Sequence, residues 1–168
     1  MKTVKYFTIF CFTFVVLSCG KYSFTNIDIG DAKTVQINFF DNYAKLIEPG
    51  IDNDFTNALQ ELITNQTQLN LVSKKGDLTY EGEITEYRIF PTSANAKSRA
   101  SQNRLKMTVN VRFFNNLDES KNFEKSFSFF FDYDGSIQLI GSQKEAALET
   151  IFDRITQDIF NESLASNF

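Results

Sequence analysis

From Leu105 to Phe113 every second residue is apolar: Leu105, Met107, Val109, Val111 and Phe113 fall on one side, and Lys106, Thr108, Asn110 and Arg112 on the other. A period of two sustained over that length is the pleat of a half-buried β-strand, because a helix would scatter the same residues around its axis. The alternation recurs. In Lys33 to Phe40 it sets Val35, Ile37 and Phe39 against Thr34, Gln36 and Asn38. From Leu78 it sets Tyr80, Gly82 and Ile84 against Thr79, Glu81, Glu83 and Thr85, and it fades at Phe90-Pro91. In Phe123 to Tyr133 it sets Phe123, Phe127, Phe129 and Phe131 against Glu124, Ser126, Ser128 and Asp132, with Lys125 the exception, predicted to sit near the sheet end. Strands of this kind build a sheet with one apolar face, which another layer has to cover.

Two segments have the period to cover it. Ile51, Phe55, Ala58, Leu59, Leu62 and Ile63 recur in steps of three and four, which predicts an amphipathic helix ending near Asn65 or Gln66. Leu148, Ile151, Phe152, Ile155, Ile159 and Phe160 predict a second, extending to about Ala165. Ser142-Gln143-Lys144-Glu145 has the capping-box order, in which the serine caps a backbone N–H three residues on and the glutamate reaches back. Leu69 to Val72 adds a short strand, Asp41 to Gly50 reads as a loop, and the Asn115 to Asp118 turn joins two strands as a hairpin. The expected fold is α/β in the α+β sense. It is a two-layer sandwich, a mixed four- to five-stranded sheet with two helices packed on one face.

The N-terminus has a different character. Lys2 and Lys5 precede an apolar run from Tyr6 to Leu17, closed by Ser18 and Cys19. A positive start, a short apolar core and a small residue before a cut describe an export signal. The core is too short to span a bilayer, which takes about 20 residues. A cysteine just after the cut resembles the lipobox of bacterial lipoproteins, whose thiol is acylated. Residues 1–18 are thus expected to be a lipoprotein signal peptide, ahead of a plain signal peptide with an incidental cysteine or an uncleaved anchor, with 19–31 a tether and 32–168 one domain. Several acyl chains, at about 0.8 kcal/mol per buried CH₂, would hold such a protein on a membrane. Cys19 is the expected lipidation site, and Gly20-Lys21 after it lacks an acidic run.

Composition narrows the chemistry. Without residues 1–18, which contain Lys2 and Lys5, the 17 basic residues fall to 15 against 21 acids, a net charge of −6. That balance gives no footprint for nucleic acid. There is no histidine, and Cys11 leaves with the signal, so Ser-His-Asp triads, Cys-His pairs and zinc sites have no residues to build them. No glycine-rich phosphate motif occurs, so no cofactor is expected. Asp132-Tyr133-Asp134-Gly135-Ser136 begins like a calcium loop but lacks the rest of the ligand series, and a turn is the better reading. Glu81 and Glu83 are spaced as a strand and face Lys106 and Arg112, an arrangement that keeps them ionised and solvated and gives no catalytic cleft. The chain is read as a binding protein with no catalytic residues and no metal site.

Between Pro91 and Arg104 there is no acid, while Lys97, Arg99 and Arg104 lie there or at its end. The stretch Thr92 to Asn103 is predicted to be a long polar loop. Its basic residues, together with Arg112, are the candidate contacts for an anionic lipid or a partner wall, since guanidinium groups grip phosphate with two parallel bonds.

Taken together, Cys19-Gly20-Lys21-Tyr22-Ser23-Phe24, Ala32-Lys33-Thr34-Val35, Gly76-Asp77-Leu78, Tyr80-Glu81-Gly82-Glu83-Ile84, Asn103-Arg104-Leu105, Phe123 to Ser128 and Asp158-Ile159-Phe160-Asn161 resemble the LptE family of lipopolysaccharide-assembly lipoproteins. The resemblance covers nearly the whole mature chain. It implies an outer-membrane lipoprotein anchored on the periplasmic face. Such a protein binds an LptD-like β-barrel as a plug and assists lipopolysaccharide delivery to the cell surface. The competing expectations are a lipoprotein accessory of another outer-membrane barrel or secretion complex and, last in order, an exported carboxylate hydrolase.

Overall fold

The computed structural model describes residues 29–92 and 102–165. Along the chain run β1 (Thr34–Ile37), β2 (Asp41–Asn42), α1 (Ile51–Gln66), β3 (Asn70–Leu71), β4 (Leu78–Thr92), β5 (Gln102–Asn115), β6 (Phe123–Asp134) and α2 (Gly141–Phe160). A single 3₁₀ turn, Glu119–Lys121, precedes β6, and a wider π turn, Asn161–Ala165, follows α2. The expected α+β sandwich is borne out, with six strands where four or five were predicted. Their order is β3-β1-β4-β5-β6, with β2 also on β4. β1 is parallel to β3 and β4, whereas β4, β5 and β6 form an antiparallel meander.

The predicted alternation of β5 holds residue for residue: Leu105, Met107, Val109, Val111 and Phe113 are fully buried. Against them pack Ile51, Phe55, Leu59 and Ile63 from α1 and Ile151, Phe152, Ile155, Ile159 and Phe160 from α2. Burying one such side chain stabilises the fold by about 1.5–3 kcal/mol. The helices meet through the rings of Phe55 and Phe152, edge to face at 5.7 Å between centroids, a geometry that complements the ring quadrupoles.

Four local expectations are corrected. β1 stops at Ile37, and it is Phe40, not Phe39, that enters the core: Phe40 is fully buried while Phe39 is 46% exposed. The reason is Gly82 on β4. A Cβ there would lie 2.7 Å from the Phe40 ring, so the missing side chain makes the space into which Phe40 folds. The chain then resumes as β2 inside what was read as a loop, pairing Asp41 with Glu83 and Asn42 with Ile84. β4 does not fade at Phe90-Pro91 but continues to Thr92. A bulge between Ile84 and Glu86 turns Glu86 to the polar side and buries Tyr87, and that hid the pattern. Finally, α2 is flanked by Ile140 with no side-chain cap, and Gly141 has φ 56°, so the Ser142–Glu145 capping box does not form.

Register fixes the two ends of the molecule. Thr34 lies beside Asn70, Leu78 pairs with Asn115, and Phe113 pairs with Phe123, so the start of β1 and the β5–β6 turn share one end. Thr92, Gln102 and Asp134 meet at the other. Fifteen residues of β4 at about 3.3 Å each separate the two ends by about 50 Å.

Candidate functional site

The sheet face away from the helices is open, and the even-numbered residues of β5 run down its middle. Their partners are set by the strands on either side. Arg112 Nη1 donates to both carboxylate oxygens of Glu83, at 3.2 and 3.0 Å, and its Nε lies 3.6 Å from Glu81. Asn110 Nδ2 donates to Glu83 at 3.2 Å and Glu124 at 2.8 Å, bridging β4 to β6. Lys106 reaches Glu86 at 2.7 Å, and Thr108 donates its hydroxyl to the same carboxylate at 2.9 Å. Glu86 also pairs with Arg88. Lys106, expected beside Glu81, Glu83 and Glu124, thus pairs elsewhere, because the bulge at Thr85 swings Glu86 onto this face.

Arg104 occupies the far end, near the hairpin tip. Its Nε and Nη2 donate to the two oxygens of Asp132 at 2.6 and 2.7 Å, a two-pronged pair, and its guanidinium lies 3.5 Å from the centroid of the Phe130 ring. Arg88 sits similarly over Phe90, at 4.6 Å. Two arginines stacked on aromatic rings therefore mark this end, each also held by an acid.

These contacts set the titration behaviour. Lys106 holds the Glu86 carboxyl below its ordinary range, with help from Thr108 and Arg88. Arg104 does the same for Asp132, and in return Asp132 raises the Arg104 guanidinium. Hydrogen bonding to Glu83 likewise raises Arg112. All of these shifts favour the charged forms, and none leaves a carboxyl protonated near neutral pH for use as a general acid.

Of the sequence-predicted residues, Arg104 and Arg112 are brought to this face, on one strand and with their charges engaged by acids. Lys97, Arg99 and Cys19 lie outside the described residues. The sequence reading missed Phe130, Arg88 and Phe90. For Phe130 a signal existed, since it is the one apolar residue on the polar side of an otherwise alternating strand. For Arg88 and Phe90 the bulge removed it. Of the stretch read as a turn, Asp132 to Asp134 end β6 and only Gly135 and Ser136 form the turn, with Asp134 accepting from Ser136 N at 2.8 Å and Ser136 Oγ at 2.6 Å. Among the described residues no group of three or more potential metal ligands occurs, and no helix is long and apolar enough to cross a membrane.

The model of the LptE family, described as lipopolysaccharide-assembly, matches residues 32–163. The chain belongs to the LptE family. The match takes in every strand, both helices and the open face just described. No curated protein matches the chain. Among solved structures, this LptE-family chain is similar to a minor lipoprotein from Acinetobacter baumannii. The two are 14% identical, over 80% of this chain and 92% of that one, with a TM-score of 0.50. It is also similar to a hypothetical protein from Chlamydia trachomatis, at 11% identity over 80% and 99% of the two chains and a TM-score of 0.49. A third is the rare lipoprotein B from Shewanella oneidensis, at 8% identity over 76% and 89% and a TM-score of 0.45. At 14% identity the likeness to the Acinetobacter baumannii lipoprotein concerns the fold alone.

Proposed function

We propose that this LptE-family protein is an outer-membrane lipoprotein, acylated at Cys19 and held on the periplasmic face, that binds an LptD-like β-barrel and assists lipopolysaccharide delivery. The observation that carries the reading is the family match across the entire folded domain, 32–163. Geometry supports it. The start of β1, which follows the expected tether, and the β4–β5 tip lie at opposite ends of strands about 50 Å long. A lipid at Cys19 therefore leaves the tip free to project away from the membrane surface. Of the candidate basic residues, Arg104 is at the projecting end and Arg112 nearer the β1 end, and each would have to exchange its acid partner for the phosphate of a glycolipid, which guanidinium groups also bind with two parallel bonds.

The test is purification of the protein from detergent-solubilised membranes, followed by mass identification of what comes with it. A large β-barrel together with lipopolysaccharide-transport components is the expected result. Depletion should reduce surface lipopolysaccharide, and a depleted strain with a folded barrel and unchanged surface lipopolysaccharide overturns the reading. Cys19→Ala should move the protein off the membrane with its circular dichroism unchanged.

A further inference from the structure

The last strand of the sheet has a free edge. β6 pairs with β5 along its length, from Phe113↔Phe123 to Gln102↔Asp134, and among the described residues no strand lies on its other side. The opposite edge strand, β3, is two residues long. β6 has twelve, with no proline and no bulge in its register. A long, straight, aromatic-rich edge presents a row of unpaired N–H and C=O groups, which natural proteins normally blunt. Here one device is present: Lys125 points inward and reaches Glu162 at 2.8 Å, guarding the first residues of the strand. From Ser126 to Phe131 the edge has no proline, bulge or charged side chain.

Packing beside that edge is incomplete. The inward residues of β5 are fully buried, whereas Phe129, Phe131 and Tyr133 on β6 are only partly so. Between β6 and the flank of α2 run two shallow depressions of about 530 and 380 Å³, one floored by Phe129 beside Asp153 and Arg154, the other by Phe127 beside Asp158. One more strand would cover those aromatics. The charge along the edge selects what that strand carries. Lys125 and Arg154 are already paired with Glu162 and Asp158, and Arg104 with Asp132. Glu124, which shares Arg112 with Glu81 and Glu83, and Asp134 remain on the outer face, and Asp153 lies beside the depression on α2, so the acids along the edge outnumber its cations.

We propose that the free edge of β6, from Ser126 to Asp134, accepts an extended segment of a partner protein whose residues alternate apolar and basic. The apolar residues lie inward over Phe129 and Phe131, the basic ones outward between Asp134 at one end of the segment and Glu124 just beyond the other, and the main chains pair. Neither a barrel nor a glycolipid enters this inference, so its failure is separate from that of the proposed function.

The experiment uses the purified protein in detergent and an eight-residue peptide alternating lysine and valine, read by amide hydrogen exchange. At ten times its Kd, the peptide should slow exchange at alternate amides between Ser126 and Asp134 by about tenfold. A fully N-methylated version, equal in charge and unable to pair, and a glutamate–valine version should do neither, and Glu124→Lys should weaken the lysine peptide. Three outcomes overturn the proposal: no peptide binding, equal binding of the N-methylated peptide, or protection of the same amides by raising protein concentration alone. The last would assign the edge to a second copy of this chain.

Discussion

The Tyr80 hydroxyl lies 2.7 Å from Ser163 Oγ, in the core and 83 residues away along the chain. Ser163 in turn donates to the Ile159 carbonyl at 2.8 Å, so in this chain of bonds the tyrosine is the donor. Burial has pushed its phenol well above the ordinary range, and it stays a neutral donor throughout the physiological pH range. The bond fastens the turn after α2 to β4.

Its two partners are not equivalent. Tyr80→Phe removes the donor but leaves Ser163 bonded to Ile159, at a cost of about 1 kcal/mol. Ser163→Ala strands a buried hydroxyl and should cost more, about 1–3 kcal/mol. Urea titrations of the two variants should give that order, and in the Tyr80→Phe background Ser163→Ala should cost less than it does alone.

Gly82→Ala should be among the most damaging single changes in the sheet. An added Cβ would collide with the Asn110 carbonyl oxygen and meet the Phe40 ring at 2.7 Å. Overpacking of this kind costs about 1–3 kcal/mol or more. Phe40→Ala should not rescue it, because the Asn110 carbonyl belongs to the ladder and cannot retreat. Thermal denaturation of the single and double variants checks this.

Acid sensitivity should concentrate partly at Asp77. One of its carboxylate oxygens accepts from Lys33 N and Thr34 N at 2.9 Å and from Thr34 Oγ1 at 2.8 Å. Those bonds, the Lys33 amide first, hold its carboxyl below the usual carboxylate range. A depressed carboxyl stabilises the fold fully above its unfolded pKa, and that stabilisation is lost as pH falls through the folded value. Asp77→Asn should therefore be less stable than the native chain at pH 7, by about 1–2 kcal/mol, with the difference shrinking below pH about 4. Glu86 and Asp132 are depressed too, so the difference between variant and native curves is the quantity to follow.

Arg104 is held by Asp132, so its availability to a ligand is adjustable. Asp132→Asn should cost under about 1 kcal/mol, as partly exposed pairs do, and should strengthen retention on phosphate-bearing glycolipid micelles. High salt should erase the gain. Equal retention of native and variant proteins would make Arg104 a structural residue only.

Much of the fold was legible because alternation is a strong signal where one face is buried. β5 and the two helices needed nothing else. What escaped depends on contacts between segments distant in sequence. Nothing near Phe39 and Phe40 says which ring enters the core; that is decided by a glycine more than 40 residues on. Nothing in Ile84-Thr85-Glu86 announces a bulge, yet it inverts the facing of all that follows in β4 and gives Lys106 its acid. The candidate basic residues were legible as charge. Their state was not, since Arg104 and Arg112 read as available cations and are engaged by acids on neighbouring strands.

Thr34 bonds to Asp77, and β1 adds to the edge of β4, a strand made more than 40 residues later. A chain emerging N-terminus first, from a ribosome or across a membrane, delivers β1 well before the strand that completes it. The cost of closing that loop falls before any reward, as it does wherever pairing is parallel and distant. For that interval Phe40 has the Phe55 ring of α1 to pack on but lacks β4, whose Gly82 makes its space. Completion of this part of the sheet is thus timed by β4, the last of the strands that β1 pairs with to be made.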